Sequence, residues 1–201
     1  MKLYDAAASG NCHKARMMLS FLGLEYEKVP ISLPAGEQKT PEHLARHPLG
    51  KVPVLEDGDV SVWDSQAILV YLARKYDGGG TWLPDDPADL GHVTQWLSFA
   101  AKEMWDGPAM ARAILKFGRD ADLAACQELA HADLTLLNDH LVDYDWLIGG
   151  SDPTIADIAV YPYAGLAWEG QIDLDAYPTL RSWFQRIETL PNYVGMEGLP
   201  H

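Results

Sequence analysis

Residues 8–16 read "ASGNCHKAR", with Ser9 and Cys12 spaced as the two cysteines of a Cys-x-x-Cys pair and Asn11 between them. Two cysteines at that spacing would suggest a redox pair at the start of a helix. With a serine first, a different chemistry opens. A thiolate brought to this point from outside would feel a helix N-terminus and a hydroxyl donor, and both favour its charged form. A free thiol has a pKa of ~8.5, so a fall of about one or two units makes it mostly nucleophilic at neutral pH. The structural alternative is that Ser9 or Asn11 caps the helix and Cys12 is packing. For Cys12, about a turn inside the helix, packing is the expectation.

Three further places carry chemistry or its scaffolding. Pro53 lies in "VPVL", where a strand interior would lose a ladder bond to proline. A cis Val52-Pro53 bond would turn the chain and leave the Val52 backbone unpaired and aimed outward, and a trans proline at a strand start is the alternative. Asp64-Ser65 stands at a helix start. Either residue can be a simple N-cap, and the same N-terminus can bind a carboxylate with the Ser65 hydroxyl as an added donor. His43 and His47 are spaced i, i+4 as in some metal sites, but no third ligand is near, so no metal is expected. Trp96, Trp105, Tyr161, Tyr163 and Trp168 are expected in the core, some of them lining an apolar pocket.

These residues need elements to hold them. "KLYDA" (2–6) predicts a strand, and Ala15, Met18, Leu19 and Leu22 recur as one helix face that Gly23 ends. "EYEKVPISL" (25–33) predicts a second strand, parallel to the first. A short helix over 41–47 follows, then strands at 52–55 and 60–63 around an Asp57-Gly58 turn, then a helix over 64–76. Residues 1–76 therefore form a small α/β layer. "YDGGGTWLPDDP" (76–87) predicts a linker, placed at 77–87, and only helical periodicity follows over 88–201. Helices are expected from Trp96 to Met104, Leu123 to Leu141, 154–168 with an interruption at Pro162, and 180–190. "Thr154-Ile155-Ala156-Asp157" has the form of a capping box that would nucleate the buried third of these.

Charge sharpens the division. Residues 1–76 carry nine Lys or Arg and nine Asp or Glu, so the whole formal charge of −14 falls on residues 77–201. No Lys or Arg lies between Arg119 and Arg181. Without a basic face, nucleic-acid binding is not expected. Any group that holds an anion must come from the first part, or from Arg112, Lys116 or Arg119. No apolar run approaches a membrane helix of roughly 18 residues, and the N-terminus lacks the apolar stretch of a signal peptide. Two distant cysteines, Cys12 and Cys126, make no disulfide framework, so a cytoplasmic chain with reduced thiols is expected.

In order along the chain, "SGNCHKAR" (9–16), "GKVPVL" (50–55), "DSQAILVYLA" (64–73) and "PTIADIAVYPY" (153–163) resemble the motifs of cytosolic glutathione transferases, and the resemblance covers nearly the whole chain. It implies a thioredoxin-like α/β domain followed by an all-helical one, usually as a homodimer. It implies a detoxifying enzyme that ionises the thiol of glutathione for attack on an apolar electrophile. Val52, before a cis Pro53, would pair its backbone with the cysteinyl amide, while Asp64 and Ser65 would hold the γ-glutamyl end. Ser9 falls where theta- and zeta-type enzymes place a thiolate-stabilising serine. Asn11 and the "GEQ" of 36–38 are similar to nu-type bacterial enzymes, which adds Asn11 and Gln38 to the site. Lys39 or Lys51 would meet the glycyl carboxylate. The Lys/Arg-free stretch offers no equivalent of the arginine that nu-type relatives extend across the dimer. The resemblance also admits glutathione-dependent disulfide reduction, and a non-catalytic binding module on the same fold.

Overall fold

The structure is a computed structural model and describes residues 1–199. Strand β1 (Lys2–Asp5) leads into helix α1 (Gly10–Phe21), and β2 (Glu27–Pro30) returns parallel to β1. Helix α2 (Pro41–Arg46) precedes the hairpin of β3 (Val54–Asp57) and β4 (Val60–Trp63), which turns at Gly58 with φ +61°. The sheet order is β2-β1-β3-β4, with β3 antiparallel to both neighbours. Helix α3 (Ser65–Tyr76) closes this α/β layer. The remainder is helical: α4 (Pro87–Ala101), α5 (Met110–Phe117), α6 (Leu123–His140), α7 (Ile155–Gly165) and α8 (Pro178–Glu188).

The strand expected over 52–55 begins two residues later, because Val52-Pro53 is a cis peptide that lies outside the ladder. The strand expected over 25–33 keeps only its centre. Pro162 does not interrupt α7; the helix is continuous from Ile155 to Gly165, and every residue in it is buried. A helix apolar on all sides must be sheathed by neighbours, and α7 packs on α1, α3 and α4 at once. Its N-terminal donors are therefore out of reach of water, and Asp157 answers them. Oδ2 accepts from Thr154 N–H (2.9 Å) and Oδ1 from Leu147 N–H (3.1 Å) and Trp183 Nε1 (3.0 Å).

Periodicity alone did not reveal the segment between α4 and α5. Trp105–Ala109 forms one wide π turn around Pro108, which has no N–H to give an α-helical bond. One continuous apolar core then joins the sheet to the helices, running from Leu3, Leu55 and Ile68 through Met17 and Met18 to Ala159, Leu180 and Trp183.

Candidate active site

Strand register assembles the site. Tyr4 of β1 faces Val54 of β3, and Val54 faces Trp63 of β4. Both ladders stop at Val54, so Ala6, Val52 and Ser65 lie just beyond their last paired residues at the same end of the sheet. One sheet end thus gathers the Ser9 loop, the cis proline turn and the start of α3. Neither the N–H nor the C=O of Val52 has a partner among the described residues, so both are free for an extended ligand backbone. The turn is steadied from behind, where buried His43 donates from Nε2 to the Lys51 carbonyl at 2.7 Å. His47 lies against Trp63, with ring centroids 4.9 Å apart.

Asp64 occupies the left-handed region at φ +80°, a conformation that costs a side-chain-bearing residue about 1–3 kcal/mol. In return its Oδ1 accepts from Gln66 N–H (2.9 Å) and Ala67 N–H (3.2 Å), capping α3. Its Oδ2 makes no hydrogen bond among the described residues, and the carboxylate of this exposed residue acts electrostatically on Lys14 and His47. The buried Ser65 hydroxyl lies 3.2 Å from Asn11 Oδ1 and 2.5 Å from Gln66 Oε1, two acceptors for one proton. That contact ties the start of α1 to the start of α3.

Ser9 is the N-cap of α1 and its Oγ accepts from Cys12 N–H at 3.2 Å. Cys12 itself is fully buried, its Sγ accepts from Ala6 N–H, and burial pushes its thiol up to about 12. Lys39 is spent on the Leu49 carbonyl (2.9 Å), whereas the Lys51 ammonium stands 5.9 Å from the Trp105 ring centroid, reaching toward the helical half. Gln38 and Lys39 both lie against Gly50, the residue before Lys51. Gly50 has φ +58°, and a Cβ there would lie 2.8 Å from the Gln38 carbonyl and from Lys39 Nζ. The Gln38 Oε1 is buried without a partner. No group of three His, Cys, Asp or Glu side chains fit to hold a metal is found among the described residues.

Family models match at both ends of the chain: "Glutathione S-transferase, N-terminal domain" over residues 1–74 and "Glutathione S-transferase, C-terminal domain" over residues 120–186. The chain belongs to the glutathione S-transferase family. A crystal structure of a glutathione S-transferase from Pseudomonas fluorescens superposes on this transferase with a TM-score of 0.91, at 35% identity, over 98% of each chain. A probable glutathione S-transferase of Oryza sativa subsp. japonica, GSTF2, is 30% identical over 208 residues, spanning 96% of this chain and 93% of its own. The disulfide-bond oxidoreductase YfcG of Escherichia coli strain K12 is 31% identical over 202 residues, spanning 92% and 89%.

Two of the aromatics expected in the core or lining a pocket, Tyr163 and Trp105, and one residue that the sequence did not single out, Lys14, meet beside the start of α1 in this transferase. Tyr163 comes from α7 to pack against Gly10. A Cβ at Gly10 would stand 2.8 Å from Tyr163 Cε1 and 2.9 Å from Cζ. Trp105 packs on the same ring edge-on, with centroids 6.1 Å apart. Lys14 is fully buried below the ring, its ammonium 5.4 Å from the ring centroid and without a hydrogen-bond partner, and burial lowers it to about 7. The one signal for this arrangement was Gly10 itself, a glycine opening a helix where a side chain would have met another ring. Arg112 and Lys116, possible anion partners on charge grounds, instead pair with Glu169, and Arg112 Nη1 donates to the Ala8 carbonyl at 3.0 Å.

Proposed function

We propose that this crevice binds glutathione in an extended form and ionises its thiol for transfer to an apolar electrophile. The observation that carries the reading is the convergence, at one sheet end, of an unpaired Val52 backbone, the capped start of α3 and the Ser9 hydroxyl. The Val52 N–H and C=O would pair with the cysteinyl residue beyond the cis Pro53. The γ-glutamyl ammonium would meet Asp64 Oδ2, and its carboxylate the Ser65 hydroxyl and the N-terminus of α3. Lys51 is the better placed of the two lysines for the glycyl carboxylate, with Gln38 beside it, because Lys39 Nζ already serves Leu49.

The sulfur would then lie at the start of α1. Ser9 and Asn11 are the donors within reach, and donors aimed at a developing negative charge stabilise it most where water is thin. The thiol proton leaves to solvent, a sulfur lone pair forms the bond to carbon, and the leaving group departs with its electrons. Trp105 forms an apolar wall for the electrophile. The protein works on the nucleophile and the co-substrate supplies it.

Disulfide reduction is the second reading, supported by the similarity to YfcG; with Cys12 buried, the thiols in it are those of glutathione. In it the bound thiolate attacks a disulfide sulfur, and a second glutathione resolves the mixed disulfide; two glutathiones are oxidised as one disulfide becomes two thiols. Parallel assays decide between the readings: aryl-halide conjugation against reduction of a small disulfide. Conjugation is the expected activity, and its absence beside vigorous reduction would replace the first reading by the second.

A homodimer working in the cytoplasm in detoxification completes the proposal. Ala125, Leu129, Ala132 and Leu136 run along the exposed face of α6 and support a contact with a second copy. No helix among the described residues is long and apolar enough to cross a membrane.

A further inference from the structure

We propose that Arg112 is a positioning residue for Ser9: from the helical half it grips the Ala8 carbonyl, and so fixes the turn that presents the Ser9 hydroxyl to the bound sulfur. The inference rests on the thiolate reading of the site. Residues 6–9 make one four-residue turn, closed by Ser9 N–H on the Ala6 carbonyl at 2.9 Å. Its middle is Ala7-Ala8, and both alanines are exposed. Glycine, proline or asparagine there would set the peptide orientations by its own backbone preference, and alanine does not. Alanine side chains that face water bury nothing to anchor the turn either. The bonds that Ser9 accepts from Cys12 N–H and His13 N–H run into α1 and fix the helix start. The two turn carbonyls are held separately, each by an arginine. Ala7 accepts from Arg16 Nη2 at 3.1 Å, and Ala8 from Arg112 Nη1 at 3.0 Å. Arg16 lies on α1, in the same half as the turn, and is tied to Asp5 of β1. Arg112 lies on α5 and brings its hold from the other half.

The Arg112 guanidinium is itself fixed. The side chain is buried, and Nε pairs with Glu169 Oε2. Lys116, one helical turn further along α5, takes Oε1 of the same carboxylate. The chain closes tightly around this group. A Cβ at Gly198 would lie 2.7 Å from Glu169 Oε1, and a Cβ at Gly170 would lie 2.8 Å from Ala111 Cβ and 3.0 Å from the Arg112 backbone nitrogen. Phe117 lies against the guanidinium, with its ring centroid 5.2 Å from Cζ. A planar fork held at Nε by a carboxylate can aim Nη1 in one direction only, and Ala8 lies there. Stability alone is a poor reason for this arrangement. A buried ion pair rarely gains over apolar packing of the same volume, and Arg112 Nη2 is buried with no hydrogen-bond partner among the described residues. What the arrangement does is carry the rigidity of the helical half, through one carbonyl, to the residue next in the chain. Without that bond the Ala8-Ser9 peptide is free to turn, and the Ser9 hydroxyl moves with it. A hydrogen bond weakens steeply as its angle falls, so the sulfur loses its donor before Ser9 has moved far.

The experiment is a double-mutant cycle that titrates the thiol of bound glutathione by its ultraviolet absorbance across pH, with Arg112→Met, Ser9→Ala and the pair. Methionine keeps an apolar stem and removes the donors. Arg112→Met is expected to raise the pKa of the bound thiol by about one unit and to lower kcat/KM for aryl-halide conjugation about tenfold at neutral pH, with recovery above the new pKa and the affinity for glutathione kept. In the Ser9→Ala background the same change is expected to do nothing further. Equal shifts in both backgrounds, an unmoved titration, or a loss confined to glutathione affinity would each overturn the role. Arg112→Lys separates position from charge. Lysine keeps the charge but offers one nitrogen in place of the fork, and Glu169 claims it, so the same rise is expected. Wild-type titration in Arg112→Lys would mean that the charge alone matters, and would overturn the role. If Arg112→Met does not fold, Arg112→Met with Glu169→Leu removes both buried charges together and carries the same expectation. A wild-type protein that binds glutathione without ionising it would overturn the thiolate reading, and this role with it; a lowered wild-type pKa that Arg112→Met leaves in place overturns this role alone.

Discussion

Ser9 caps α1, and in the proposed function the same oxygen also serves the bound thiolate, so the two roles predict separable losses. Ser9→Ala removes the cap of α1, which costs about 1 kcal/mol of stability measured by denaturant titration. It is also expected to cut turnover by about a hundredfold while glutathione still binds. Asn11→Ala is expected to lose turnover as well, through Ser65 as much as through the sulfur, because the two side chains share a hydrogen bond. Unchanged turnover in both variants would remove these donors from the mechanism. Cys12 makes the opposite prediction. Its buried thiol, held at about 12, should resist alkylation in the folded protein at mildly alkaline pH and react once the chain is unfolded, as followed by mass. Lys14 predicts a pH effect on stability. Burial holds the folded-state pKa near 7 against an ordinary 10.5, with Asp64 pulling it back up. Between those values the unfolded chain binds a proton that the folded chain lacks, so stability from this group rises with pH across that window. Below about 7 both states are charged and the full cost of burial is present. Lys14→Met should therefore raise Tm most at or below pH 7, with the gain shrinking toward pH 10.

At the scale of elements, α7 links folding to chemistry. Its capping box was legible as "TIAD", because capping is local and residue types at fixed spacing announce it. What the spacing could not announce is that Asp157 also accepts from Leu147 and Trp183, since those donors arrive only with the fold. Asp157→Ala strands three buried donors and is expected to cost more than about 3 kcal/mol in thermal or denaturant unfolding, against about 1 kcal/mol for Thr154→Ala. Equal effects would mean that the box alone matters. The π turn at Trp105 was illegible for the complementary reason. Helical periodicity was followed to Met104, and a single Pro108 gives no sign of whether a helix stops, kinks or widens. The strand expected at 52–55 was displaced because the cis turn that leaves Val52 unpaired also takes it out of the ladder.

For the whole molecule, the α/β-then-helical order followed from periodicity and the one-sided charge, and four spaced motifs carried the family resemblance. The first half's candidate residues could be named from the sequence because they sit in cap and turn signals. The second half's contribution was legible only as a group of aromatics expected in the core or lining a pocket, because which of them meet Gly10 and Lys51 is set by the fold. The exposed stripe on α6 predicts association: light scattering should give twice the chain mass, and Leu136→Glu should shift it toward one chain. A single mass for the unaltered protein would refute that contact. The central claim, that this crevice ionises the thiol of bound glutathione at Ser9, is tested most directly by ultraviolet titration of the thiolate in complexes of the wild-type protein and of Ser9→Ala across pH. A bound-thiol pKa well below the ~8.5 of a free thiol in the wild type, returning toward it in Ser9→Ala with affinity kept, is the predicted result. The same pKa in both complexes would contradict it.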